Sequence, residues 1–438
     1  MSSPQGLMHD SAHSCVKCAK CVPSCTIYSV NRDEITSPRG YLDLVSAYAE
    51  GRLSMDRDFK DAIESCFLCT ACVSHCPLSL PVDVVIERAR VDIAKHYGIP
   101  TYKKLAFFLL GNRWILNLLF SLGFYFSPCF FKTEKGRKKL RFSLPGTRAA
   151  SLKDRIISPL NARSFIQQCG GWNLPKGGAK AARRKVGIYI GCLSNYNYKS
   201  VGLSLVKILK KLDFAVLVPS KQACCGAPAF FSGDISNTTR LIKKNLDYLV
   251  PLLEDLEALL VPEATCASML LLDWKHALDI EAEVEGVDNS FYLERLRILT
   301  KKTFMASQWL YENTDLKALL ASCGKESAVI TYHDPCHARK TLNVFSQPRE
   351  LLQNFRLVEM QDSNACCGFG GVTIQAEKYH LAKEVGDRKA RDIASSGASV
   401  VSAECSACRL QIDDSLARNG VSVTFSHPLE LIAKNLGL

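Results

Sequence analysis

Cys66, Cys69, Cys72 and Cys76 follow one another at the spacing C-x2-C-x2-C-x3-C, and Pro77 closes the run. Cys15, Cys18, Cys21 and Cys25 repeat that spacing upstream, with Thr26 in the proline's place. Three thiolates this close can wrap one iron–sulfur cube, while the fourth, set before a turn, points away from it. Where two such runs share a chain, the fourth cysteine of each ligates the other run's cube. The spacing therefore predicts two [4Fe–4S] clusters, one on Cys15, Cys18, Cys21 and Cys76, the other on Cys66, Cys69, Cys72 and Cys25. Zinc fits this pattern poorly, because it takes four ligands that usually come as cysteine pairs. His75, inside the second run, is expected to tune its cluster rather than to bind it.

A further set of cysteines repeats at longer range. Cys192 is followed by Cys224-Cys225-Gly226 and then by Cys266, with Met269 three positions on; Cys336 is followed by Cys366-Cys367-Gly368 and then by Cys405 and Cys408. Each cysteine comes just after an apolar stretch that reads as a strand, at 186–190, 214–218, 258–261, 328–332, from 358, and at 398–402. Helical spacing fills the intervals at 201–212, 238–253 and 374–394, with a helix ending at 351–355. Strands alternating with helices imply parallel sheets, whose carboxyl-end loops are where ligands bind. Gly226 and Gly368 permit tight backbone beside adjacent thiolates. His333 and His337 flank Cys336 and are expected to hydrogen-bond backbone or cluster sulfur, a ligand role also being open. Cys129, Cys169 and Cys323 fall outside every motif and read as structural.

The pattern C-(x)n-C-C-G-(x)n-C-x-x-C resembles the cysteine-rich CCG domain. A pair of ferredoxin runs ahead of two such domains is similar to the iron–sulfur subunits of glycolate oxidase. It is also similar to lactate-utilisation iron–sulfur proteins, the C subunit of anaerobic glycerol-3-phosphate dehydrogenase and the CCG-bearing subunit of heterodisulfide reductase. The stretches Ser37-Pro38-Arg39-Gly40 and His333-Asp334-Pro335-Cys336-His337 fit the same group. The resemblance implies an α+β multidomain chain: a mainly α two-cluster ferredoxin-like domain over 1–100, a linker over 101–185, and two repeated α/β CCG domains with parallel sheets over 186–320 and 321–438. It further implies a noncubane iron–sulfur cluster on Cys336, Cys366, Cys367, Cys405 and Cys408. The first repeat supplies Cys192, Cys224, Cys225 and Cys266, and Met269 replaces the fifth. A thioether is a weaker ligand than a thiolate, so this repeat is left open to a different cluster, a zinc ion or nothing.

The chain of 438 residues has 20 cysteines and a formal net charge of +12. A disulfide-rich secreted protein would be small and carry a signal peptide. Residues 1–14 are polar, and the adjacent pairs Cys224-Cys225 and Cys366-Cys367 suit metal better than disulfides, so a reducing cytoplasm is expected. The basic excess is local: residues 101–185 hold 18 Lys and Arg against 2 Asp and Glu. Within them, 105–131 carries a single charge, Arg113, with Asn117 and Ser121 completing a narrow polar stripe. Gly123 and Pro128 weaken its far end, and Lys132, Lys135, Arg137, Lys138, Lys139 and Arg141 follow. Three readings stand open: one membrane span, an interfacial helix aided by the basic patch, and a helix buried against this protein or a partner. Residues 143–184 read as linker, marked by Leu144-Pro145-Gly146, Ser158-Pro159 and Pro175-Lys176-Gly177-Gly178. Arg39 reads either as a neighbour of a cluster or as a solvated loop arginine.

The chain has no G-x-G-x-x-G after a strand, no phosphate-binding P-loop and no G-x-S-x-G elbow. Oxidising a 2-hydroxy acid needs a hydride or carbanion acceptor, which one-electron clusters are not. The expected role is therefore an electron-transfer subunit. It would take electrons from an FAD-containing dehydrogenase that oxidises glycolate or lactate and pass them toward the quinone pool, from the inner face of the cell membrane. No nucleic-acid motif accompanies the basic segment. The alternatives are a heterodisulfide-reductase-like catalytic subunit or the iron–sulfur subunit of an anaerobic glycerol-3-phosphate dehydrogenase.

Overall fold

The computed structural model describes residues 10–134, 137–141, 155–156, 158–180 and 182–438. Its strands, in chain order, are β1 Phe131–Glu134, β2 Arg137–Leu140, β3 Gly171–Asn173, β4 Arg184–Ile188, β5 Phe214–Val218, β6 Ala258–Val261, β7 Thr303–Met305, β8 Val329–Tyr332, β9 Arg356–Leu357, β10 Val400–Ser402 and β11 Thr424–Ser426. β1 and β2 form a small antiparallel hairpin. The two large sheets run β3-β5-β4-β6-β7 and β11-β10-β8-β9. Apart from the antiparallel β3, every pairing in them is parallel. Read outward from β4 and from β8, the two sheets have one strand order, and the registers agree: Ile188 pairs with Leu260 as Tyr332 pairs with Ser402. The internal repeat of the cysteines is thus a repeat of fold. The two units are not separately cored, since one apolar cluster joins Ile188, Val216 and Trp309 to Ile330, Leu351 and Leu429.

Two sequence expectations change here. The helix expected over 374–394 is two helices, Gly371–Glu377 and Tyr379–Ser395, because Lys378 leaves the helical path. Its buried ammonium donates to the Asp61 carbonyl at 2.7 Å and to Ser65 Oγ at 3.1 Å, and pairs with the Asp61 carboxylate. A lysine that would cap one helix face ties the N-terminal unit to the second CCG unit instead. The linker expected over 143–184 also gives way in part. Ser164 and Gln167 form a capping box that starts the helix Phe165–Cys169, Phe165 is fully buried, and β3 adds an edge to the first CCG sheet. Leu144-Pro145-Gly146 and Lys135 lie outside the described residues.

No single helix of the described residues is long and apolar enough to cross a membrane. The apolar stretch is two helices, Thr101–Gly111 and Arg113–Tyr125, meeting at 105°. Asn112 breaks the path, its side chain donating to the Phe108 carbonyl at 2.7 Å. Gly111 sits so close to Arg240 that a Cβ would meet the guanidinium at 3.0 Å. The first helix straddles both repeats. Lys244 donates to the Gly111 carbonyl on one side, and the buried Lys103 donates to Thr373 Oγ1 at 3.0 Å on the other. The second helix is turned inside out. Ser121 donates to the Ala162 carbonyl at 2.7 Å and Asn117 accepts from Ser164, so the polar stripe faces protein. Trp114, Leu118, Leu122 and Tyr125 face outward, with Trp114 71% and Tyr125 70% exposed.

The helix Val82–Tyr97 carries the N-terminal unit onto the first CCG unit. Asp83 and the buried Glu87 there face Asp273 of that unit. Burial, then Asp83, lifts the Asp273 carboxyl to about 7, against about 3.9 in an unfolded chain. The folded protein therefore holds a proton that the unfolded chain gives up, so stability is present at low pH and falls as pH rises from about 4 to about 7. Asp273→Asn is expected to melt higher than the parent at pH 8 and to lose less Tm between pH 5 and pH 8. Parallel melting curves for the two proteins across that range would contradict the assignment.

Candidate iron–sulfur sites and the cavity between the repeats

Each ferredoxin run wraps itself by the same backbone device. Lys17 and Leu68 occupy one position of the two runs, Ala19 and Thr70 another, and all four have positive φ, between 50° and 62°. Left-handed backbone costs a non-glycine residue about 1–2 kcal/mol, and paired outliers of this kind belong to sites that need the conformation. Around one small cavity stand Cys66, Cys69, Cys72 and, from the other run, Cys25. Burial lifts the Cys21 thiol, and Cys15, Cys76 and Cys18 lift it further, so Cys76 keeps company with the first run. The structure thus brings together both crossed groupings expected from sequence. Burial pushes Cys66 up to about 12, opposed chiefly by Arg90. Thiols so placed shed their protons when a cation binds, which is the donor chemistry an iron–sulfur cube requires.

The CCG cysteines gather at the carboxyl ends of the two sheets. Cys192, Cys224, Cys225 and Cys266 form a chain of sulfur contacts in the first repeat. Cys366, Cys367, Cys408 and Cys405 do so in the second, with Cys336 beside them. Cys366 and Cys408, with His333 beside them, pull the Cys367 thiol down, whereas Cys366 and Cys408 are themselves pushed up. Gly226 and Gly368 share φ 92°. At Gly368 a Cβ would strike Gly386 N at 2.8 Å and Ala382 O at 2.9 Å, so the C-C-G turn packs against backbone that cannot yield. Amides aim at sulfur in both kinds of site: Leu68 N to Cys66 and Gly368 N to Cys366, each at 3.4 Å. Met269 is fully buried in apolar core.

Both repeats open on one cavity of about 440 Å³. Cys192, Cys225 and Cys266 line it from one side and Cys336, Cys367 and Cys408 from the other. Leu109 and Leu110 of the first apolar helix and Leu116 of the second close it, and the rings of Phe231 and His337 stack on its wall at 5.9 Å. Among the described residues Glu263 is the one carboxylate of the lining, and it is held by Ser194 and Ser406 across the repeats. The Cys66 set adjoins the second repeat directly. Phe67 packs where a Cβ on Gly370 would stand, Thr70 Oγ1 lies 3.5 Å from Thr341 Oγ1, and Lys340 is held between Cys69, Cys336 and Cys366.

Some residues carry roles that spacing did not reveal. Arg90, 3% exposed, donates to the Cys66 carbonyl at 2.6 Å and to the Phe231 carbonyl at 2.7 Å, binding cluster loop to cavity wall. In sequence it is one more arginine on an amphipathic helix, and nothing marks it. Cys224 and burial push the Cys192 thiol up, and Arg113, which leads the polar stripe, opposes that rise from outside the CCG motif. Arg39 pairs with Glu34 and reaches the Lys17 carbonyl at 3.4 Å, so it braces the first run's loop. His75 turns to the Ala71 carbonyl at 2.8 Å. Cys129 is exposed, and Cys169 and Cys323 stand apart from every set.

Comparison with known proteins follows the same division. Residues 11–80 match a 4Fe-4S dicluster domain, and residues 186–271 and 330–413 each match the CCG cysteine-rich domain. The chain is 31% identical over 252 residues to lactate utilization protein A of Macrococcus caseolyticus, covering 57% of this chain and 96% of that one. The chain belongs to this family of CCG iron–sulfur proteins. It is 25% identical over 440 residues to the probable glycolate oxidase iron-sulfur subunit of Bacillus subtilis, covering 97% of this chain and 94% of that one. It is likewise 25% identical to a subunit of the fumarate reductase (CoM/CoB) of Methanothermobacter marburgensis, over 95% of this chain and 71% of that one. An iron–sulfur protein of redox type, with an N-terminal dicluster unit and two CCG repeats, is what geometry and family both support.

The crossed ligation is testable on the anoxically purified chain. Cys25→Ala is expected to erase the low-temperature EPR signal of the Cys66 set and spare that of the Cys15 set, and Cys76→Ala the reverse, each with loss of about four irons. Loss of the signal belonging to each residue's own run would contradict the crossing.

Proposed function

We propose that this chain is the electron-transfer subunit of a flavin-dependent 2-hydroxy-acid dehydrogenase. Glycolate or lactate would be the substrate of the complex and the quinone pool its acceptor. Iron–sulfur clusters, when bound, accept and release single electrons. The residues supply the placement. The Cys15 set stands at the surface, with Cys18 and the apolar Val16 exposed beside it, where a partner's flavin can approach. The Cys66 set comes next and abuts the second CCG repeat. Oxidation of a 2-hydroxy acid to a 2-oxo acid releases two electrons and two protons, and reduction of a quinone consumes both.

The observation that carries the acceptor is the 440 Å³ cavity. Its walls are apolar and aromatic, its floor is cysteine from both repeats, and its cover is a helix pair whose outer face is apolar. A flat lipophilic ring suits such a cavity. A small disulfide bearing phosphate or carboxylate groups would meet Glu263 and, among the described lining residues, no lysine or arginine. The inside-out helix and the basic stretch that follows it suit the headgroup layer of an anionic leaflet. That would make the protein peripheral on the inner face of the cell membrane.

Two measurements test this reading. The reduced chain is expected to be reoxidised by a short-chain quinone, and Leu116→Trp, which narrows the cavity, is expected to slow that at least tenfold while the EPR signals persist. Equal rates in both proteins would contradict a quinone in this cavity. Leu118→Glu with Leu122→Glu is expected to abolish sedimentation with anionic vesicles, and unchanged sedimentation would contradict docking by this face.

A further inference from the structure

The two repeats differ at one more place than Met269. The strand registers make Tyr189 and His333 equivalents. Each follows the last paired residue of its central strand, and each donates its backbone N–H to the strand beside it, Tyr189 to the Leu260 carbonyl at 3.0 Å and His333 to the Ser402 carbonyl at 2.9 Å. Tyr189 is satisfied, its hydroxyl donating to the Ala223 carbonyl at 2.9 Å. His333 is 1% exposed, and its ring nitrogens meet no oxygen or nitrogen partner; the sulfur of Cys367 is the polar neighbour they face. A buried imidazole whose ring meets sulfur in place of oxygen or nitrogen points to an ion the site is built for. One ring nitrogen of His333 and the Sγ atoms of Cys367 and Cys408 lie within 4.8 Å of one another.

We infer that His333 is a ligand of the metal centre of the second repeat, facing Cys367 and Cys408. Two changes then separate the repeats as one. The first repeat lacks both the second cysteine of C-x-x-C, where Met269 stands, and the imidazole opposite it, where Tyr189 stands. A single site that loses both facing ligands together is the simplest account of the pair. The loop is prepared for the role. Asp334, next to His333, is buried and takes Arg349 at 2.7 Å and Ser363 Oγ at 2.8 Å, which fixes the turn against the loop that carries Cys366 and Cys367. An imidazole is a neutral donor where a thiolate carries charge, and it raises the reduction potential of an iron–sulfur centre. The second repeat's centre would then lie higher in potential than a centre held by thiolates alone, as a terminal donor to an acceptor in the cavity should. The inference rests on the second repeat holding metal, and metal analysis separates the two failures.

The test uses the full chain, purified anoxically from cells fed 15N-histidine, with an unlabelled control. Pulsed EPR of the centre that is lost in Cys408→Ala is expected to show a directly bonded nitrogen whose coupling changes with the isotope. His333→Tyr, which copies the first repeat, is expected to lose that coupling and lower the midpoint potential, while His337→Ala, which removes a ring that reaches the Cys336 sulfur at 3.9 Å, retains the coupling. Should the centre be zinc, absorption fine structure at the zinc edge replaces pulsed EPR, with a nitrogen shell expected in place of the hyperfine coupling. The inference is overturned by wild-type protein without bonded nitrogen, by coupling that survives His333→Tyr, or by coupling lost in His337→Ala. Unchanged metal content in Cys408→Ala overturns the centre itself.

Discussion

Buried thiols whose neighbouring cations do not offset the cost of burial are the constraint on which the rest of this structure depends. Burial drives Cys66 of the ferredoxin unit and Cys336 of the second CCG repeat to about 12, far above the ordinary range of a thiol. In the first repeat, sulfur neighbours on both sides and burial together leave Cys224 at about 12 as well. A site of that kind is poor as a set of free thiols and well made for a cation that displaces their protons. The same demand explains the surroundings: left-handed backbone in both ferredoxin runs, glycine at each C-C-G turn, amides aimed at sulfur, and the buried guanidinium of Arg90 on the Cys66 carbonyl.

What the sequence reveals and what it hides divide along physical lines. Metal ligation demands fixed spacing, so the four cysteine sets could be read directly, and the crossing of Cys25 and Cys76 followed from the geometry of one cube. The strands β5 and β6 were legible as short apolar runs ending at turns. The short strands β3, β7 and β11 were not, because no apolar run marks them, whereas the equally short β10 lies within the run at 398–402. The break at Lys378 was hidden because a long lysine fits a helix pattern until a partner elsewhere captures it. Arg90 was invisible for the same reason, since burial of a charge is decided by tertiary neighbours.

The apolar stretch teaches a sharper lesson. A polar stripe at 113, 117 and 121 on an apolar helix invites the reading that polar faces water. Here the stripe is spent on Ser164, Ala162 and the surroundings of Cys192, and the apolar side is left outward. Helix periodicity gives the angle between two faces and not which of them is inside. With that settled, the 101–125 helices become a cover that spans both repeats and places an apolar surface over a cavity floored with cysteine.

The central claim is a continuous placement of redox-competent sites, from the surface through the Cys66 set to the second repeat and its cavity. Magnetic coupling tests it most directly. When the clusters of the anoxic chain are reduced stepwise, the signal of the Cys66 set is expected to split as the centre of the second repeat becomes paramagnetic, and the splitting is expected to vanish in Cys408→Ala. Two signals that grow in side by side without splitting or enhanced relaxation would contradict that adjacency and the account built on it.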